Sequence, residues 1–295
     1  MQHLSAAPIF ISAIVPIAGF PNGTKQIESW LSDSALSSFE VLLVIDSDDK
    51  VTHLETESIC QKLGNLATVK ILNSNFRNPG ETRNLGLASA SGSWIVFWDC
   101  DDVPNPSNFL EMVKQAMIKQ KDIAIGEFII QSESKIQVKS FQSDFTKNIL
   151  ENIAINPGIW RFAFKSQLAK SINFPNARMA EDQIYLANIL ERNSDLFIFK
   201  SHVYTYWQYR GNQLTKSAAA INQIVFALDF FVNRFKDKQC TPVLIVIIRL
   251  TLSAVKKASF QLKSRAVSKL LLISLRYPRQ LPNMFRAVRK ILKSK

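Results

Sequence analysis

Four short runs of apolar, β-branched and aromatic residues, at 8–15, 39–45, 66–72 and 94–98, constrain this chain more than any other feature. Each reads as a strand, and the second and fourth as buried ones, the fourth on both faces. Stretches of helical character separate them: residues 24–36 place Ile27, Trp30 and Leu31 at helical spacing, and residues 54–63 are closed by Gly64-Asn65. Strands alternating with helices imply βαβ units and therefore an α/β fold with a mainly parallel, twisted sheet flanked by helices.

Two of the runs end in acids. The second is followed by Asp46, Asp48 and Asp49, and the fourth by Asp99, Asp101 and Asp102. The carboxyl ends of parallel strands are where open α/β sheets keep their ligands. If the strand continues, Asp99 and Asp101 project to one side and Cys100 to the other, so two hard oxygen donors converge. A solvated acid cluster is the alternative on this stretch alone. Between the third and fourth runs, Asn78 can cap a helix with Pro79 in its first position, which puts Arg83 and Gly86 on one face. Gly86 then permits close approach to a neighbour, and Arg83 points towards the sheet edge.

Further along, Asn105-Pro106 opens a helix to about 119, and residues 123–130 and 135–141 read as antiparallel strands around a turn at 132–134. Residues 145–153 read as a short helix and 159–164 as a strand. Glu181-Asp182 opens a helix through 190, where acids also complement the helix dipole. A last strand spans 196–207 and leads into Tyr209-Arg210-Gly211.

Charge divides the chain. From Arg234 onward there are sixteen Lys and Arg against one acid, Asp237, so residues 1–233 carry a net charge of −3 although the whole chain stands at +12. Stretches at 243–260, 266–275 and 284–292 have amphipathic helical character, the last with Met284, Phe285, Val288, Ile291 and Leu292 assigned to one face. Such basic helices suit an anionic membrane surface, while a helical subdomain with a solvated basic rim is the alternative. Nucleic acid is disfavoured because aromatic and basic residues do not interleave. No stretch reaches the roughly 18 apolar residues of a membrane span. Cys60, Cys100 and Cys240 lie far apart, which argues against a zinc site or disulfide framework and for a reducing compartment. The apolar N-terminal stretch lacks a preceding Lys or Arg and is read as the first strand rather than a signal segment.

Taken in order, the motifs resemble the inverting, nucleotide-sugar-dependent glycosyltransferases of family 2, which have the GT-A fold. Ile14-Val15-Pro16 is similar to the family's opening strand end, with Ala18 and Gly19 replacing its usual tyrosine and asparagine. Val44-Ile45-Asp46-Ser47-Asp48-Asp49 resembles its acidic turn without the glycine. Arg83-Asn84-Leu85-Gly86, Asp99-Cys100-Asp101-Asp102, Glu181-Asp182 and the segment 206–215 follow at family-like spacing. The resemblance covers residues 8–216, taken as a catalytic domain over 1–216, with 217–295 as a basic helical extension outside it.

The resemblance implies a divalent cation, Mn or Mg, held by Asp101 and shared with or assisted by Asp99, since oxygen-only donors favour these ions. It places Pro16, Asp46 and Arg83 around the nucleoside, with Asp46 accepting from the base, and Asp99 near the ribose. It makes Asp182 the general base and brings Arg210 to the diphosphate, a structural arginine being the alternative there. The implied partners are a nucleotide-diphosphate sugar donor and a saccharide or lipid-linked acceptor, as in surface polysaccharide assembly. The implied location is the cytoplasm, at the inner face of the membrane. Two other readings are a decayed sugar-nucleotide or nucleic-acid binding protein on the same fold, and a nucleotidyltransferase, for which residues 16–23 make a poor phosphate loop.

Overall fold

The computed structural model describes residues 10–20, 23–141, 148–193, 195–208, 223–238 and 240–293. Of these, residues up to 141, 159–176 and 185–208 form one compact unit, and 148–158, 177–184 and 223–293 form another. The boundary is discontinuous in sequence and falls within the helix Glu181–Arg192.

The first unit is built on a sheet. Its described strands are β1 (Ile11–Ile17), β2 (Phe39–Asp46), β3 (Thr68–Ser74), β4 (Trp94–Phe97), β5 (Val103–Pro104), β6 (Ile123–Gln131), β7 (Ile136–Lys139), β8 (Phe162–Lys165) and β9 (Leu196–Trp207). Their order is β3-β2-β1-β4-β8-β6-β9-β5, with β7 beside β6. The half from β3 to β4 is parallel, as the apolar runs imply. Beyond β4 the sheet is mixed, because β8 runs against both β4 and β6 while β9 follows β6 in parallel. The chain winds from β1 through β2 to β3, then returns to the other side of β1 as β4. That reversal opens a crevice at the carboxyl ends of β1 and β4.

Packing fixes this half tightly. The helix Pro79–Ser89 lies on β1 through Gly86, where a Cβ would come within 2.4 Å of Ile14 Cγ2. Asn78 caps that helix by accepting from the N–H groups of Gly80 and Glu81. Trp98 is buried against Trp30, Phe39 and Phe109. At the amino end of the sheet Glu40 of β2, fully buried, accepts from Ser12, Lys70, the Ser91 hydroxyl and the Ser91 N–H, tying β1, β3 and the approach to β4 together.

The second unit is helical. The helix Thr241–Lys257 packs against Ile149–Ile155, Ile224–Lys238, Phe260–Arg276 and Leu281–Lys293. Its apolar residues Leu244, Ile245, Ile247 and Ile248 are all buried, as expected for a central helix. Asp229 pairs with Arg265 and Lys269, and Glu151 with Lys290. The apolar face expected over 284–292 is present but only part of it is covered: Met284 and Ile291 are buried with Ala287, whereas Phe285 and Leu292 are exposed. The helix Ile224–Lys238 lies within the region 217–295 expected to be helical, outside its three amphipathic stretches, and Val225, Leu228, Phe231, Val232 and Phe235 form its buried stripe. The first part of the expected helix at 145–153 lies outside the described residues, which resume with Ile149–Ile155.

Candidate active site

The acids after β4 sit on a turn rather than on a continuing strand. β4 ends at Phe97, and Asp102 N–H donates to the Asp99 carbonyl at 3.2 Å. Alternation of strand faces therefore does not bring Asp99 and Asp101 together; the reversal of the chain does. Burial, followed by the charge of Asp99, pushes the Asp101 carboxyl up to about 6. Asp102 is almost fully buried, and burial together with Asp101 and Asp99 pushes its carboxyl well above the usual range. One of its oxygens accepts from Trp207 N–H at 2.7 Å, and the other has no hydrogen-bond partner among the described residues. Cys100 is half-buried and approaches the Gly19 carbonyl, and burial and the same acids push its thiol well up, which leaves it unreactive.

Arg83 supplies the positive charge of this edge. It is buried, donates to Asp99 Oδ1 at 2.8 Å and lies over the ring of Phe174, 5.7 Å from its centroid. Asp99 N–H in turn donates to the Tyr204 hydroxyl at 2.9 Å, so β9 braces the turn from the other side. Burial, reinforced by Asp102 and Asp99, keeps Tyr204 protonated by pushing its hydroxyl well up. Trp160 stacks on Tyr204 at 4.7 Å and on Tyr206 at 5.8 Å, which stiffens that strand. Neither Tyr204 nor Trp207 carries a sequence signal for this role, because one acts across a strand pairing and the other through its backbone.

Asp46 ends β2 and turns its carboxylate into the loop 74–82. One oxygen accepts from the Ser74 hydroxyl and from the N–H groups of Phe76 and Arg77; the other accepts from Asn78 N–H and the Thr82 hydroxyl, all within 2.7–3.2 Å. Both oxygens are filled, so Asp46 shapes the wall that carries Arg83. Arg77 adopts a left-handed backbone, φ 51°, to bring these donors round. Asp49, by contrast, caps the helix Lys50–Leu63. Pro16 lies near the end of β1, half-buried, opposite Val44 in register.

In the second unit Asp182 stands in the first turn of the helix Glu181–Arg192, and its Oδ1 accepts from Gln183 N–H at 2.8 Å. Arg249, the charge that interrupts the apolar run of Thr241–Lys257, donates to the Ala154 carbonyl at 3.2 Å and to the Gln183 side chain. Burial lowers the Arg249 guanidinium to about 10, and the charge of Asp182 opposes that fall. Arg210 lies outside the described residues.

The acids after β4 suit a cation. The orphaned Asp102 oxygen and the raised Asp101 carboxyl both report negative charge crowded at low solvation, which a divalent ion relieves. Among the described residues no three His, Cys, Asp or Glu side chains form a cage. One or two carboxylates with the remaining positions left to phosphate oxygens and water is the usual arrangement for Mg, and the donor set is oxygen only.

A family model for glycosyl transferase family 2 matches residues 25–174, just over half of the chain. Glycosyltransferase GlyA of Streptococcus pneumoniae is 20% identical over 215 residues, covering 64% of this chain, and the chain spans only 30% of that protein's length. Among solved structures, S. aureus TarS 1–349 in complex with UDP-GlcNAc superposes with a TM-score of 0.59 at 19% identity, over 96% of this chain and 80% of that one. The mannosyltransferase PcManGT of Pyrobaculum calidifontis, in complex with GDP-Man and Mn2+, gives 0.58 at 15% identity, over 99% and 89%. These likenesses establish a GT-A fold.

Proposed function

The chain belongs to glycosyl transferase family 2, and from that premise we propose that it transfers a sugar, with inversion, from a nucleoside-diphosphate sugar to a hydroxyl group. The observation that carries the reading is the Arg83–Asp99 ion pair beside the Asp101–Asp102 turn, at the strand reversal where α/β sheets bind nucleotides. A relative in fold that holds UDP-GlcNAc and another that holds GDP-Man with Mn2+ support the donor class.

Pro16 and the loop shaped by Asp46 line the nucleoside. Because the oxygens of Asp46 are already filled, the base meets that loop rather than the carboxylate. Asp99 orients the ribose and, with Asp101, forms the oxygen set for a divalent ion. That ion, when bound, neutralises charge building on the leaving diphosphate. Arg83 adds a planar cation, and Arg210 acts at the diphosphate as the bond to C1 breaks. Asp182 removes the acceptor hydroxyl proton as the oxygen attacks C1. Asp182 Oδ1 accepts from the Gln183 N–H at the start of its helix, and the Arg249 guanidinium hydrogen-bonds the Gln183 side chain beside it. The acceptor is a saccharide or a lipid-linked hydroxyl in glycoconjugate assembly, reached from an anionic membrane surface through the basic region 217–295.

The test is a thermal-stabilisation screen of the purified chain against a panel of nucleotide sugars with and without Mn. One donor class should raise the melting temperature in a Mn-dependent way, and Asp101→Asn should remove that dependence. Stabilisation by no nucleotide sugar would end the reading.

A further inference from the structure

Two helices of the second unit each carry exposed apolar residues beside buried ones. In Phe260–Arg276, Ala266 and Ile273 are buried, yet Phe260, Leu271 and Leu275 are 85, 58 and 79% exposed, and Val267 lies between them. Positions 260, 267, 271 and 275 fall within about 80° of one another on a helix. In Leu281–Lys293, Ala287 and Ile291 face inward, while Leu281, Phe285 and Leu292 form an outward stripe, the latter two 74 and 62% exposed. Isolated exposed apolar residues are ordinary, but two stripes at helical spacing on consecutive helices mark an interaction surface.

The charge around the stripes selects the occupant. From residue 260 onward the chain has ten Lys and Arg and no acid. Arg265, Lys269 and Lys290 are paired by Asp229 and Glu151, whereas Arg276, Arg279, Arg286 and Arg289 are exposed. A cavity of about 450 Å³ opens beside the Leu275 stripe, where Lys236, Lys269 and Arg276 meet the apolar walls of Leu272, Leu275 and Tyr277. A second copy of this chain would press two strongly basic faces together. An anionic bilayer meets both chemistries, with acyl chains for the Leu and Phe side chains and headgroup phosphates for the cations. No described helix is long and apolar enough to cross a membrane.

We propose that these outward stripes and the arginines beside them dock the chain on an anionic lipid surface, with Lys236 and Arg276 at the mouth of the cavity seating a headgroup phosphate. This deepens the proposed function and rests on its reading of a membrane-side acceptor. The test is flotation of the full chain with vesicles of phosphatidylcholine alone or mixed with phosphatidylglycerol, read without donor or turnover. The chain should float only with the mixed vesicles, and less as salt rises. Arg279→Gln and Arg286→Gln should each weaken binding about five-fold, from roughly 1 kcal/mol per surface cation. Leu271→Gln/Leu275→Gln should abolish flotation while the melting temperature holds, and Ile118→Gln, an exposed apolar residue of the first unit, should change nothing. Absence of flotation with anionic vesicles, or flotation unaltered in the stripe variant, would overturn the proposal. So would a dimer in sedimentation that the stripe variant dissociates, since the stripes would then cover one another. Flotation without sugar-nucleotide binding would count against the enzymatic reading alone.

Discussion

Replacing Glu40 by Gln should destabilise the chain by about 3 kcal/mol at neutral pH and remove Glu40's share of the parent's sensitivity to acid. Burial of Glu40 pushes its carboxyl up, but hydrogen bonds from Lys70, Ser12 and Ser91 outweigh that and hold it at about 2. Tenfold in proton affinity is ~1.4 kcal/mol, so a fall from the ordinary 4.5 to about 2 corresponds to about 3 kcal/mol of preference for the ionised, folded form. A depressed folded value means that this stability is fully present above pH 4.5 and is lost as pH falls towards 2. Thermal melts of parent and Glu40→Gln between pH 7 and 2 measure it. The parent should unfold about 6–12 °C higher at pH 7, and the gap should close in acid. Because Glu40 sits at the end of the sheet away from the Asp99–Asp102 turn, donor affinity at pH 7 should not change. A gap that stays constant across the pH range would show that Glu40 acts by shape alone and would refute the linkage.

Gly86→Val should destabilise by about 1–3 kcal/mol through overpacking, since its Cβ meets Ile14, and Ile14→Ala in the same chain should recover part of the loss in urea melts. Asp182→Asn should slow transfer by ~10²–10⁴-fold with nucleotide binding intact, and retained activity would remove Asp182 from the role of base. Arg249→Met should lower kcat without raising the donor KM, and Arg249→Lys should recover part of it, because the positive charge beside Asp182 and Gln183 returns.

The parallel half of the sheet is legible because β1, β2 and β4 are buried on both faces, and burial on both faces leaves apolar runs that chain order alone can thread. Asn78-Pro79 and Gly86 are equally legible, since a cap and a close approach each need particular residues. The mixed half is harder: β8 and β9 pair with β6 across long sequence separations, which no local pattern encodes. The acids after β4 could be found by composition, yet their geometry could not, because the chain leaves the strand at Phe97 and turns. The environment of Asp46 was hidden for a related reason: its donors are mostly backbone N–H groups, available only once the 74–82 loop has closed. In the basic region the charges mark the solvent-facing sides, whereas the buried stripe of Ile224–Lys238 carries no charge to mark it.

The most direct measurement is calorimetric titration of the full chain with UDP and with GDP, each with and without Mn, repeated on Asp101→Asn and Asp182→Asn. One nucleotide should bind saturably in a Mn-dependent manner to the parent and to Asp182→Asn, and that dependence should vanish in Asp101→Asn. Failure of both nucleotides to bind the parent, or an Asp101→Asn isotherm matching it with Mn present, would contradict the assignment of the Asp99–Asp102 turn as the donor site.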